Sequence, residues 1–455
     1  MCVEPAAPSP FTNPAAFPRI RTKNPHNGAM PHFARRHVLA GLVGLAAGLP
    51  GLAHGQAVTL DPASDANQTT ALQRALDAAA VENGRISLPA GRFRVSDIQF
   101  PSNLVLEGVP GATWLIADGQ SVGAVSSQSN LVLRHIGFAG NSGGDPLLAV
   151  STSQNITLER CQFRENPGVG LNLFASAATI RDCDFAGHGD AAIHSLDSLG
   201  LLITGNRIIT CGNAGIRIWR SESGADGSIV TNNRISTIDW RGGGNGQNGN
   251  GINAYLADEV IIADNHIADC AFSAVRLNTT RNSVVKGNQC HRSGEVAIFS
   301  EFAFSGSIIA DNIIDGAAAG ISITNMDVGG ALAVCAGNIV RNITPASRVN
   351  PDATPIGIFA EADTAISGNV IDTVPGPAIV AGWGPYLRNV AISGNMVTAS
   401  RIGIAVSVAD GAGPVTIGAN QISASERDIV GMLWSDMAEP DLAAAADNYP
   451  HITFR

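Results

Sequence analysis

Aromatic residues make up only 5% of this chain and charged residues only 15%, so its core must be built from small aliphatic side chains. No CxxC, HxxxH or HExxH spacing occurs, which removes the usual sequence support for a zinc site. The formal net charge is -10 and nothing resembles a basic stripe, which argues against nucleic acid as a partner. The 51 glycines follow no three-residue period, which excludes a collagen helix. What is plentiful is short apolar runs: hydrophobic residues reach 45% of the 455 positions. That length could hold two or three average domains, or one elongated all-β unit.

The runs repeat. ISGNVIDT, from Ile366 to Thr373, returns as ISGNMVTA, from Ile392 to Ala399. The same slot is filled by Asn206, Asn233, Asn265, Asn288, Asn312, Asn338, Asn369, Asn395 and Asn420, at steps of 23 to 32 residues. Going backwards, Cys183, Cys161 and Ile136 occupy it. Each register carries a β-branched run, the Asn slot, and then a second run such as GIRIW or GISIT. Two or three short strands per unit cannot bury an apolar face alone, and stacking the units does so. No helical period runs through them, so the solenoid is expected to be all-β, with equivalent side chains stacked about 4.8 Å apart. Ile then fills the interior, Gly and Asn supply corner geometry, and Asn amides hydrogen-bond down the stack.

Before the repeats, DANQTTALQRALDAA (Asp65 to Ala79) reads as a capped amphipathic helix with Leu72, Ala75, Leu76 and Ala79 on one face. It is expected to plug the open end of the stack. This helix, followed by LPAG and PSNLVLEG, resembles the N-terminal entry of pectate-lyase-like proteins. The resemblance implies a single-stranded right-handed parallel β-helix, here of about 12–13 coils by the repeat count. Further upstream, Arg35 and Arg36 precede a mild Gly- and Ala-rich apolar stretch. The pair resembles a twin-arginine (Tat) export signal, although Ala34 and Val38 stand where Ser or Thr and Phe are usual. The alternative is an uncleaved anchor. With that pair, the chain from Met30 resembles a family of Tat-exported bacterial β-helix repeat proteins of unassigned activity. We therefore expect a non-native or disordered extension over 1–29 and a signal peptide over 30–57. A cap helix with first strands over 58–100, the β-helix over 101–435 and a C-terminal cap over 436–455 follow.

Seven cysteines in an exported protein would suggest disulfides, but their positions do not. Cys161 and Cys183 share one slot on neighbouring coils, while Cys211 and Cys270 lie two coils apart, beyond the reach of a disulfide. Buried thiols acting as small apolar residues are expected instead. Neither a cofactor nor a metal is expected. Calcium bridging through Asp264, Asp269 or Asp311 has a competing explanation, because Asp264 and Asp311 precede the Asn slot at a corner.

Function on such a scaffold belongs to outward columns and corner insertions. Two insertions leave the same corner, Ile238 to Gly251 and Ile343 to Gly357, and are expected to wall an open trough. Read by alternation, the strand after that corner presents one outward column of Asn172, His194, Arg217, Asn253, Arg276 and Phe299. A second reads Phe174, Leu196, Trp219, Tyr255, Asn278 and Glu301. Aromatic planes, Arg forks and amides in alternation suit a glycan. We assign Arg276, Arg217, Tyr255 and His194 as candidate catalytic residues. Asn172, Phe174, Trp219, Trp240, Arg241, Asn253, Asn278, Phe299 and Glu301 are candidate substrate contacts. Glycoside hydrolysis needs two carboxyl groups flanking one bond, and Glu301, Asp239 and Asp327 form no evident pair. Gly187-His188-Gly189 with Arg217-Ile218 resembles a polygalacturonase pattern, but His188 falls in an interior slot. A lyase or epimerase needs only a base near a uronate C5 and neutralisation of its carboxylate. The expected function is thus an exported, monomeric β-helix that binds polysaccharide, with uronate lyase or epimerase chemistry as its candidate activity. Its partners are the glycan and, during export, the Tat translocon, with no membrane after cleavage. The alternative is a non-catalytic envelope or adhesion repeat protein.

Overall fold

The computed structural model describes residues 56–57, 60–82, 84–140, 143–244, 246–324 and 329–455. The N-terminal extension, all but the last two residues of the expected signal peptide, and Asp327 lie outside the described residues. The rest is a parallel β-helix. One sixteen-stranded sheet runs from Gln56–Ala57 to Ile452–Phe454, and a twenty-five-stranded sheet carries the other strands of each coil. Successive coils pair in parallel throughout, apart from an antiparallel return in which Gly431 opposes Glu439. The described residues contain one α-helix, Thr69–Val81, which buries Leu72, Leu76 and Ala79 at the N-terminal end. Its N-cap is Gln68, which makes no side-chain capping bond; Asn67 Oδ1 accepts from the Thr69 N–H instead. No described helix is long and apolar enough to cross a membrane.

The interior shows why the units stack in one register. Ile203, Val230, Ile262 and Val285 superpose rung upon rung and are fully buried. Phe138, Phe163 and Phe185 form a continuous stack with ring centroids 4.9 and 4.5 Å apart. All six described cysteines are free and buried, with Ile238 lying between Cys211 and Cys270. Burial raises the Cys270 thiol well above any physiological pH, so it stays protonated.

The Asn slot is the strongest polar element. Asn206 Nδ2 donates to Ile180 O at 3.0 Å and to Asn233 Oδ1 at 2.9 Å, and the Asn206 backbone N–H donates to the same Oδ1 at 3.0 Å. The pattern recurs at Asn233, Asn265, Asn288, Asn312, Asn338, Asn369 and Asn395, ending on Asn420. Each internal carboxamide thus uses two donors and two acceptor sites inside the protein. The residue before it turns the corner in the left-handed region: Gly205 at φ 69°, Asp264 and Asp311 at 56°. Short polar residues and glycine tolerate that conformation best, which accounts for both aspartates without a cation.

Asn265→Ala removes the acceptor for two donors of Asn233 and a donor to Val230 O, all buried. At about 1–3 kcal/mol per stranded group, it is expected to destabilise the fold by on the order of 3 kcal/mol. Asn420, half-buried at the ladder's end, should cost clearly less when changed to Ala. Denaturant melts of the two variants check this difference.

Candidate functional site

Both outward columns occur in the expected register. His194 lies beside Arg217, Arg217 beside Asn253, and Asn253 beside Arg276, with Asn172 and Phe299 at the ends. The second column runs Phe174, Leu196, Trp219, Tyr255, Asn278, Glu301. Their accessibility differs from the expectation. Arg276, Phe299, Asn278, Glu301, Arg217 and Asn253 are all buried, and the two insertions that were to wall a trough close over it instead.

The cause is an apolar patch on the outside of the helix. Val296, Phe299, Phe359, Val380, Ala405 and Val430 form a second hydrophobic cluster, and Ala353 and Ile356 of the later insertion pack onto it. Covering that surface outweighs leaving a trough open. Asn350 Nδ2 then donates to Glu295 Oε1 at 2.9 Å, and Ser347 Oγ to Gly294 O at 2.6 Å, pinning the insertion down. The earlier insertion crosses nearer the N-terminus. Its Asn248 Oδ1 accepts from Arg217 Nη2 at 2.9 Å, and Gly246 lies so close to Arg276 that a Cβ there would fall 2.2 Å from the guanidinium.

Beneath this cover Arg276 is fully committed. It forks onto Glu301 with two 2.8 Å bonds, donates to Glu295 Oε2 at 3.1 Å, and sits 4.7 Å over the Phe299 ring. Asn278 Nδ2 also donates to Glu301 Oε1. Burial pushes the Glu295 carboxyl up despite the pull of Arg276. Arg276, Asn278, Phe299 and Glu301 therefore hold the insertions to the helix and are not available to a ligand. Trp240 packs 5.1 Å from Phe272 and donates Nε1–H to Gly244 O, so it braces its own insertion. Arg241 is exposed and pairs with Asp239 at 3.0 Å.

What remains open lies towards the N-terminus of the first insertion. Phe174 is 43% exposed, while Asn172, His194, Leu196, Trp219 and Tyr255 are half-buried. Trp219 is the hub: the His194 ring meets it edge-on at 5.3 Å, Tyr255 at 6.1 Å, and the Arg217 guanidinium at 5.1 Å. Its indole N–H donates to Asn253 Oδ1. The carboxylate oriented by this group is Asp190, which the sequence reading missed because it lies in a turn before the strand. It accepts from Arg217 at 3.1 and 2.9 Å and from Asn213 at 3.0 Å. Burial works to raise its carboxyl, but Arg217 and Asn213 hold it below the usual range. Burial, aided by Arg217, lowers His194 to about 4, leaving a neutral imidazole at pH 7. Burial raises the Tyr255 phenol, which stays protonated. Three buried atoms around Trp219 lack a hydrogen-bond partner among the described residues: His194 Nδ1, Arg217 Nε and Asn253 Nδ2. No group of three or more potential metal ligands occurs among the described residues.

His188 is interior, stacked over Cys211 and tilted against Phe185, so the GHG motif is a core feature. Burial lowers it, too, to about 4. Both histidines are neutral when folded and titrate at 6.5 when unfolded, so stability is full above pH 6.5 and is lost as pH falls towards 4. Each accounts for on the order of 3 kcal/mol across that window. His188→Phe should flatten the acid limb of the melting temperature against pH. Arg276→Met, which strands two buried carboxylates, should destabilise the fold by about 3–5 kcal/mol in chemical denaturation.

The family described as right handed beta helix region matches residues 115–208 and 175–329. No curated protein matches the chain. Among solved structures, the N-terminal fragment of bacteriophage Phi29 gene product 12 is similar with a TM-score of 0.60 and 12% identity, over 85% of this chain and 74% of that one. A PL6 alginate lyase in complex with trisaccharide gives 0.54 and 12%, over 88% and 95%. The mannuronan C-5 epimerase A-module of Azotobacter vinelandii gives 0.49 and 16%, over 88% and 98%. At these identities the likeness establishes the fold alone.

Proposed function

We propose that this right-handed parallel β-helix is an exported polysaccharide-binding protein whose glycan lies across Phe174, Trp219 and Tyr255. The observation that carries the reading is the row of aromatic side chains left open on neighbouring coils, with Phe174 43% exposed and Trp219 and Tyr255 half-buried. Such faces suit the apolar faces of sugar rings. A fold shared with an alginate lyase solved with a trisaccharide makes a glycan an available class of ligand. Arg35 and Arg36 support delivery to the periplasm or beyond by the Tat pathway.

The same cluster supports a finer reading as a uronate lyase or epimerase. Neutral His194 takes the C5 proton, while Arg217, buried and forked onto Asp190, positions the site from beneath without touching the substrate. In elimination the C4–O bond breaks, a C4=C5 double bond forms, and the Tyr255 phenol donates its proton to the departing oxygen. In epimerisation the same phenol returns a proton to C5 from the other face. Arg276 has no part in either step.

A glycan array followed by titration of retained acidic glycans tests both levels. Trp219→Ala should weaken binding by about tenfold or more. His194→Ala should keep binding and abolish ultraviolet-absorbing unsaturated products or C5 inversion. Retention without either product leaves the protein a binding module of the adhesion type. No retention by any glycan contradicts the proposal.

A further inference from the structure

The sixteen-stranded sheet carries an apolar stripe on its outer face that no described residue covers. Its central column reads Leu202, Ile229, Ile261, Val284, Ile308, Val334, Ala365 and Ala391 on successive coils. Ile229, Ile261, Ile308 and Val334 are each 37–44% exposed, in line along the stack. Eight rungs at about 4.8 Å span roughly 34 Å. The neighbouring column is smooth: Ala310, Ala336, Ser367 and Ser393. On the other side Leu332 is 66% exposed in the left-handed region at φ 62°, while Gly306, opposite it on the preceding coil, bears no side chain. The result is a knob beside a notch, over a groove of about 610 Å³.

We propose that this face is the interface of a two-fold dimer with antiparallel solenoid axes. Place the two-fold axis in the contact plane, along the strands, midway between the Gly306 and Leu332 coils. Leu332 of each copy then enters the Gly306 notch of the other, as an isologous contact requires. The stripe pairs large with small on either side of the axis, where Ile261 faces Ala391 and Val284 faces Ala365, while Ile308 and Val334 meet at its centre. Such alternation lets two facing surfaces interdigitate without voids. The polar rim is compatible, because Asn282 faces Asp363 and Glu259 faces Asn389, and Lys286 faces Ser367, with no like charges opposed. The stripe and its flanks cover roughly 34 by 20 Å, close to the ~800 Å² per partner of a standard specific interface. The dimer replaces the monomer expected from the sequence. It leaves the Trp219 surface free, since that lies on the other sheet.

Sedimentation of the purified chain at micromolar concentration should give twice the monomer mass. Leu332→Asp should weaken self-association by about tenfold or more, with an unchanged circular dichroism spectrum and melting temperature. The double variant Val284→Cys with Ala365→Cys should cross-link between copies on oxidation, whereas either single variant should not. Within one chain these positions are three coils, about 14 Å, apart and cannot bridge. A wild-type monomer overturns the proposal and leaves the face to a different protein. A dimer that survives Leu332→Asp, or that cross-links equally through one cysteine, overturns this assignment of the interface.

Discussion

The nine-membered asparagine ladder fixes everything outside it. Each carboxamide binds the coil before it through a backbone carbonyl and the coil after it through the next carboxamide, so a coil cannot slip by one residue without stranding several buried polar atoms. Ile and Val ladders supply most of the burial, yet they would tolerate a slide along the stack. The amides would not. Register is therefore a polar property of a mostly apolar interior, and outward columns inherit it.

That inheritance gives one simple scaffold several different faces. On the larger sheet the outward column is polar and aromatic near the N-terminal coils and becomes mostly apolar from Phe299 onward, with Ser322 between Phe299 and Phe359. The later insertion covers the apolar half, and the buried Arg276 triad holds it there. The earlier half, around Trp219, keeps its aromatic faces open. On the other sheet an aliphatic stripe stays uncovered. Where the outside is apolar, something must cover it, and the chain's own insertions reach only one of the two places.

The sequence shows register well and accessibility poorly. Equivalent positions two dozen residues apart could be aligned from the Asn slot alone, and every predicted neighbour from Asn172 to Glu301 is a neighbour in the fold. Alternation separates inward from outward side chains, but outward does not mean exposed. Arg276 and Glu301 point away from the core and are nonetheless buried, because loops of irregular sequence lie on them. A hint was present: Val296, Phe299 and Phe359 are bulky apolar residues at outward positions, next to an insertion carrying Ile356. Asp190 was invisible to alternation because it precedes the strand, held by Arg217 and Asn213.

Backbone amide hydrogen exchange at the ladder asparagines tests this account most directly. The N–H groups of Asn206 through Asn395 donate to side-chain oxygens, and if those bonds set the register they should exchange only on global unfolding, as slowly as the amides of the buried Ile and Val rungs. Exchange at the rate of the exposed corner residues beside them would show that the amides follow the stack passively, and would contradict the claim that they hold it in place.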